Sequence, residues 1–354
     1  MDLTNVPVLG VLLQLIVYLI DVLPQIAPVI LGLATPIALG ALCGVMNERS
    51  GVVNIGIEGM MLTGAFAGFL VAAFVADAVP QGTLPVFGAT PALLIGVVAA
   101  VLAGIALSLL HAWLSITIRA DQIISGTIIN IGALGLTSYL GRLIITPGSS
   151  LSAGTFTPFD PSAALTDLPF VGWLVTTFFR QGPIAMAVIF LVVTMQILLF
   201  RSRWGLRTRA VGDNPKAAET VGVDVIRLRY QNVVLGGAFA GLAGAYLTLE
   251  ATGSFQNGMT TGRGFIALAA VIFGRWTPLG AFGAAILFTA SDALSVAIRI
   301  RPPGGTLGDV LTSLPSQFYG ALPYLITIIV LAGVVGRSVA PAAVGQPYTK
   351  EARS

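Results

Sequence analysis

The chain is poor in charge. Of its 354 residues only 9% are Asp, Glu, Lys or Arg, while 56% are apolar. A typical soluble domain carries roughly 25% charge, and the mean hydropathy here is +0.92. That composition excludes an ordinary soluble fold and describes a polytopic membrane protein. A net charge of +3 is too small for a nucleic-acid binder, and the positive residues sit in loops, not on one basic face. One cysteine, Cys43, in an apolar run excludes an intramolecular disulfide and a cysteine-based metal site, and one histidine, His111, excludes a histidine cluster. No Ser/His, paired-aspartate or metal constellation stands out, so no catalytic residue is expected. A Gly-x-x-x-x-Gly-Lys-Ser/Thr loop for phosphates is missing too, because Lys216 precedes Ala217 and Lys350 precedes Glu351. ATP and magnesium, if used, belong to another polypeptide, and this chain calls for no cofactor of its own.

Glycine is abundant, at 42 residues. Small residues let membrane helices approach closely, and Gly40/Gly44, Gly64/Gly68 and Gly237/Gly241 recur at the four-residue spacing. A spanning helix needs about 20 apolar residues. Ten candidates meet or approach that length: Val8–Leu23, Ile26–Val45, Gly59–Ala76, Ala92–Thr117, Ile123–Ile145, Pro183–Phe200, Asn232–Glu250, Gly262–Trp276, Leu279–Ile298 and Tyr319–Gly336. The N-terminus lacks a basic region ahead of its apolar stretch, which predicts a retained first helix, not a cleaved signal. The predicted fold is therefore all-α, a bundle of about ten transmembrane helices.

Basic residues set the orientation. Arg201, Arg203, Arg207, Arg209, Lys216, Arg227 and Arg229 form the densest cluster, which places 205–231 in the cytoplasm. Alternating outward leaves Arg142, Arg180, Arg263, Arg299 and Arg301 outside and the other thirteen inside. Both termini then lie in the cytoplasm, with 1–337 as the membrane domain, 146–182 as an external loop and 338–354 as a cytoplasmic tail. The aromatic run Phe170–Phe179 around Trp173 fits a membrane interface. The 146–182 loop and Arg299–Phe318 are either connectors or receivers of an external partner.

Between spans two and three the polar stretch Asn47–Met61, NERSGVVNIGIEGMM, interrupts two apolar runs. Backbone polar groups must be satisfied in lipid, so it is either a loop outside the bilayer or part of a transport path. Its end, Met61-Leu62-Thr63-Gly64-Ala65-Phe66, is echoed by Thr277-Pro278-Leu279-Gly280-Ala281-Phe282. That echo hints at two inverted repeats, whose interrupted segments point to a binding site. The eighth span is short: Gly264–Gly274 would cover only about 16 Å, so it is broken, or the polar run Thr252–Arg263 enters the membrane. Phe255 and Phe265 would then either stack on a planar or sugar-like substrate or simply pack. Among acids inside spans, Asp21 and Glu250 lie near ends, while Asp292 and Glu58 are the candidates an ion-coupled carrier would need.

The cytoplasmic stretch also carries a helix signal. Asp213 or Asn214 can cap it, Pro215 suits its first position, Lys216–Val221 form the body and Gly222 ends it. It is either a surface helix that receives a push from a soluble motor or a solvated connector.

Two stretches resemble a known family. Asn47–Met61, together with Gly262-Arg263-Gly264-Phe265-Ile266-Ala267-Leu268-Ala269-Ala270-Val271-Ile272-Phe273-Gly274 and Pro278-Leu279-Gly280, is similar to membrane subunits of bacterial ABC importers of the ribose/branched-chain amino acid type. The match is nearest to the shorter subunit of nucleoside and simple-sugar permease pairs and runs from about Ile26 to Gly336. Ala217-Ala218-Glu219-Thr220-Val221-Gly222 resembles the Ala-Ala-x-x-x-Gly pattern with which importer permeases dock on the ATPase. Lys216 stands where that pattern usually has an acid, and the Ile-x-Leu-Pro that often follows is missing.

The resemblance implies a permease subunit in the bacterial inner membrane that moves nucleosides, or simple sugars, by alternating access. It implies a second, different permease, an ATPase with two nucleotide-binding halves, and a substrate-binding lipoprotein. Asn214, Pro215, Ala217, Ala218, Glu219 and Gly222 would carry the coupling. Asn47, Asn54, Glu58, Asn130, Phe255 and Phe265 are the candidates for the substrate path, with 47–61 a structured re-entry framing its inner side. A stand-alone ion-coupled carrier of a small polar solute is the rival reading.

Overall fold

A computed structural model describes residues 7–78, 82, 87–145, 151–166, 168, 171–315, 317–318, 321, 325 and 339–349. Every regular element among them is helical. The chain divides into two compact units, one formed by Met1–Ala34, Phe159–Gln181 and Ile286–Arg337, the other by Thr35–Pro158, Gly182–Ala285 and Ser338–Ser354.

The first helix, α1 (Pro7–Arg49), is 43 residues long. Spans one and two were expected to be separate; instead the helix continues through Pro24, Pro28 and Pro36 without a connecting loop. Side chains from other segments of the first unit serve its carbonyls there: Gln181 donates to Pro28 O at 3.0 Å and Thr289 to Ile30 O at 3.3 Å. At 1.5 Å per residue α1 is about 65 Å long, twice the hydrocarbon core. The same unit contains α5 (Ala163–Thr166), α6 (Gly172–Phe179), most of α12 (Pro278–Ile300 as a whole) and α13 (Gly305–Ser313). Tyr18, Val22 and Ile298 form its buried cluster. The expected external connectors thus carry short helices of their own. The tenth expected span, Tyr319–Gly336, falls almost entirely outside the described residues.

The second unit is built on α2 (Ile57–Ala78), α3 (Pro91–Ala112), α4 (Gln122–Ile144), α7 (Pro183–Arg201), α10 (Val225–Ala245) and α11 (Arg263–Phe273). Helix starts are well marked in the sequence. Thr90 caps α3 ahead of Pro91, and the Asp121 carboxylate accepts from Ile123 N and Ile124 N at 2.8 and 2.9 Å to start α4. Two helices widen at their C-terminal ends into π-helical turns, Trp113–Ile118 after α3 and Tyr246–Thr252 after α10. Sequence periodicity carries no mark of that widening. Helix α10 also begins seven residues before the expected Asn232, because the Asp224 side chain caps it at Arg227 N.

The glycines explain how α2, α3 and α10 pack. A Cβ on Gly104 would lie 2.3 Å from Gly237 O, one on Gly241 2.3 Å from Ala100 O, and one on Gly244 2.3 Å from Met61 O. These helices touch backbone to backbone, so no larger residue fits at the crossings. Seven described helices are long and apolar enough to span a membrane, and α11, at eleven residues, is a shorter apolar helix.

Candidate functional site

The Asn47–Met61 segment is a backbone break enclosed by protein. Helix α1 ends at Arg49, and Gly51, at φ +88°, turns the chain where a side chain would strike the Arg229 guanidinium at 2.7 Å. Residues 52–54 have no regular secondary structure, and α2 starts at Ile57. Neighbouring side chains take up the freed backbone groups. Gln122 accepts Val53 N at 2.7 Å, and the Val53 carbonyl meets His111 Nε2 at 2.9 Å. Because a carbonyl only accepts, Nε2 carries a proton, and Nδ1 pairs with the Ser125 hydroxyl at 3.0 Å. Asn130 bridges the break: its Nδ2 donates to Ile55 O at 2.9 Å while its Oδ1 accepts Gly59 N at 2.8 Å. Asn54 closes a local turn by accepting Gly56 N at 2.9 Å. Irregular backbone beside lipid requires this kind of internal satisfaction.

Of the expected path residues, Asn47 and Asn54 are fully buried, with their amides 3.5 Å from Cys43 Sγ and Met60 Sδ respectively. Glu58 reaches across 206 residues of sequence: its carboxylate accepts Gly262 N at 2.8 Å and Gly264 N at 2.6 Å, at the start of α11. Gly262 itself offers no capping side chain. Glu250, expected near a span end, does the same for α7, accepting Ile184 N at 2.7 Å and Ala185 N at 3.1 Å above another glycine cap, Gly182. A carboxylate at a helix N-terminus satisfies orphan N–H groups and meets the positive end of the helix dipole. Phe255 packs edge-on against Phe66 at 5.0 Å, whereas Phe265 is 50% exposed on α11.

Glu48 and Arg49 hold a second special turn. Arg275 and Trp276 both have left-handed backbone, at φ +53° and +52°, a conformation that a bulky side chain rarely adopts. Trp276 Nε1 donates to the Glu48 carboxylate, and Arg49 donates to Trp276 O at 2.7 Å and Arg275 O at 3.2 Å. Glu48 and Arg49 therefore fix the end of α11, while Glu58 fixes its start.

The connecting stretch after α7 is helical at its start, with α8 at Arg203–Asp213. Its successor α9 (Pro215–Thr220) follows the expectation closely. Asn214 caps it by accepting Ala217 N at 3.1 Å, Pro215 is its first residue, and Gly222, at φ +84°, closes its end. Ala218 is buried with Val211, Val225, Leu228 and Tyr348, while Lys216, Ala217, Thr220 and Val221 face outward. The tail at 339–349 lies on this segment. Ala343 N donates to Gly212 O at 2.9 Å, Gly345 N to Gly51 O at 3.2 Å, and the Tyr348 hydroxyl to Glu219.

Sequence reading missed His111, Gln122, Trp276 and Arg229. Their one signal was polarity within apolar helices or beside them. Arg229, only 1% exposed, donates to Ser50 O and Gln346 O, both at 3.1 Å.

Comparison with known proteins places this geometry. Residues 27–334 match the family model described as the permease component of branched-chain amino acid transport systems. The chain is 37% identical over 338 residues to the guanosine ABC transporter permease protein NupQ of Bacillus subtilis (strain 168), covering 95% of this chain and 99% of that one. It is 35% identical over 320 residues to the nucleoside ABC transporter permease protein NupC of Lactococcus lactis subsp. cremoris (strain MG1363), covering 90% and 94%. It is 34% identical over 332 residues to a putative glucose ABC transporter permease protein, TsgC13, of Haloferax volcanii, covering 90% and 95%. No solved structure matches. An enclosed break between long apolar helices, a doubly capped surface helix and a family match over most of the chain agree: this multi-pass membrane protein belongs to the permease components of ABC transport systems.

Proposed function

We propose that this permease imports a nucleoside, driven by a separate ATPase that pushes on α9. The observation that carries the reading is α9 itself. It is capped at both ends, anchored by buried Ala218, and presents exposed Lys216, Ala217, Thr220 and Val221, the last 79% exposed. A short helix held this firmly, with an apolar outer end, suits docking on a soluble subunit better than a solvated connector. Asn214, Pro215, Ala217, Ala218, Glu219 and Gly222 are assigned to that contact or to its support.

The substrate reading rests on the relatives named for guanosine and nucleosides, and a simple sugar is the second reading because one relative is named for glucose. We assign Asn47, Asn54, Glu58 and Asn130 to framing the inner side of the path, since their polar atoms already serve the break or α11. Phe265 and Phe255 remain our candidates for contact with a planar ring. A second, different permease, an ATPase with two nucleotide-binding halves and a substrate-binding lipoprotein complete the proposed importer in the bacterial inner membrane.

About ten crossings in two inverted repeats, with both termini cytoplasmic, stay part of this proposal on charge asymmetry and the echoed motif. The seat of the tail on the α8–α9 segment supports the C-terminal half of it. Labelling of single cysteines at positions 5 and 347 in intact cells tests the orientation.

The functional experiment is uptake in proteoliposomes holding the assembled importer. Labelled guanosine should accumulate only with internal ATP, and excess nucleoside should compete while glucose should not. Competition by glucose alone selects the sugar reading. Uptake by this chain without an ATPase, under an ion gradient, overturns the importer in favour of the ion-coupled carrier.

A further inference from the structure

The second unit contains a physical link that neither α9 nor the break explains by itself. The tail at 341–349 touches both. At one end the Tyr348 hydroxyl donates to Glu219 of α9, and the ring lies 7% exposed in the cluster with Ala218, Val211, Val225 and Leu228. Tyr348 also lines a cleft of about 190 Å³ with Glu219, Gly222, Val223 and Asp224, at the outer end of the same helix. At the other end Gly345 N donates to Gly51 O, the left-handed residue that begins the break. A Cβ on Gly51 would stand 3.2 Å from Ala343 O, so tail and break lie against each other. Two residues before Gly345, Ala343 N holds Gly212 O at the end of α8.

Arg229 joins the same assembly from α10. Its guanidinium donates to Ser50 O in the break and to Gln346 O in the tail, and lies 5.9 Å from the Tyr348 ring centroid. This buried cation places its hydrogen bonds on carbonyls of two separate chain segments. Buried networks of this kind have few alternative arrangements, because each lost bond strands a polar group.

We propose that the tail is a transmission strap: Tyr348 follows the position of Glu219 on α9, and Arg229 with the Gly345–Gly51 contact carries that displacement to the Asn47–Met61 break. Tyr348 and Arg229 are positioning residues and act through the break. The inference rests on the importer reading for what moves α9, but the strap itself is a property of this chain alone.

Two measurements separate the strap from that reading. In the purified chain, Tyr348→Phe removes the Glu219 bond and keeps the packing. Amide exchange across 50–56 should then rise about fivefold, within the usual range of coupling between sites, while exchange in α3 and α4 stays unchanged. Glu219→Gln, which retains an acceptor, should give a smaller rise. Unchanged exchange at 50–56 in Tyr348→Phe overturns the strap whatever the chain transports. In the assembled importer, the same variant should keep the ATPase bound and hydrolysing while guanosine uptake per ATP falls about fivefold. An unchanged ratio also overturns the proposal. A wild-type chain that binds no ATPase but passes the exchange test keeps the strap and sinks the importer reading.

Discussion

The Glu58 carboxylate accepts the N–H groups of Gly262 and Gly264 and so serves as the missing N-cap of α11 from another helix. An acid that sequence reading offered as a substrate or proton site is spent on structure in this conformation. Glu58→Gln should lower the melting temperature by an amount corresponding to about 1–2 kcal/mol, the usual worth of a cap with a charged acceptor. If Glu58 instead served only as a substrate ligand, the apparent KM for uptake would rise with no change in melting.

Glu250 offers a matched comparison, since it performs the same task for α7 above Gly182. A Cβ on Gly182 would sit 2.3 Å from Glu250 Cδ. Gly182→Ala should therefore disrupt the cap and destabilise by about 1–3 kcal/mol through overpacking, read as a drop in thermal midpoint in detergent.

Helix packing predicts a contrast between two glycines. Gly241→Ala places a methyl 2.3 Å from Ala100 O, whereas Gly132→Ala meets nothing within 4 Å. The first should cost about 1–3 kcal/mol and reduce the yield of folded protein. The second, in a helix interior, should be neutral or gain up to about 1 kcal/mol from helix propensity. Equal melting of the two variants would contradict backbone contact between α3 and α10.

The Glu48–Trp276 bond stabilises a left-handed turn. Trp276→Phe should leave the Glu48 carboxylate short of a donor, at a cost of about 1–3 kcal/mol. A double-mutant cycle with Glu48→Ala should return a coupling energy of about 1 kcal/mol or more. A coupling near zero would remove the bond from the account.

Gly222 stands in open space at φ +84°. Gly222→Ala should fold with a strain of about 1 kcal/mol, while Gly222→Trp should block co-purification with the ATPase and leave melting close to that of the alanine variant. Intact docking and substrate-stimulated hydrolysis in Gly222→Trp would displace the proposed coupling surface.

The sequence by itself determined the class of protein. Low charge and long apolar runs leave only a helical membrane bundle, because backbone groups in lipid must bond within their own segment. It also determined α9 to within a residue, since Asn214, Pro215 and Gly222 act locally on their own backbone. It marked 47–61 as the feature to explain. Tertiary structure alone decided what that segment does. The partners of Val53, Ile55 and Gly59 come from α3 and α4, and those of Glu58, Glu48 and Arg49 lie more than 200 residues away. No local pattern encodes such distances. The long α1 escaped prediction for a related reason: prolines that read as a break in sequence do not end the helix, and Gln181 and Thr289, distant in sequence, bond its Pro28 and Ile30 carbonyls. Local chemistry set where α3, α4, α9 and α10 begin; long-range polar contacts cap α7 and α11 and hold the break.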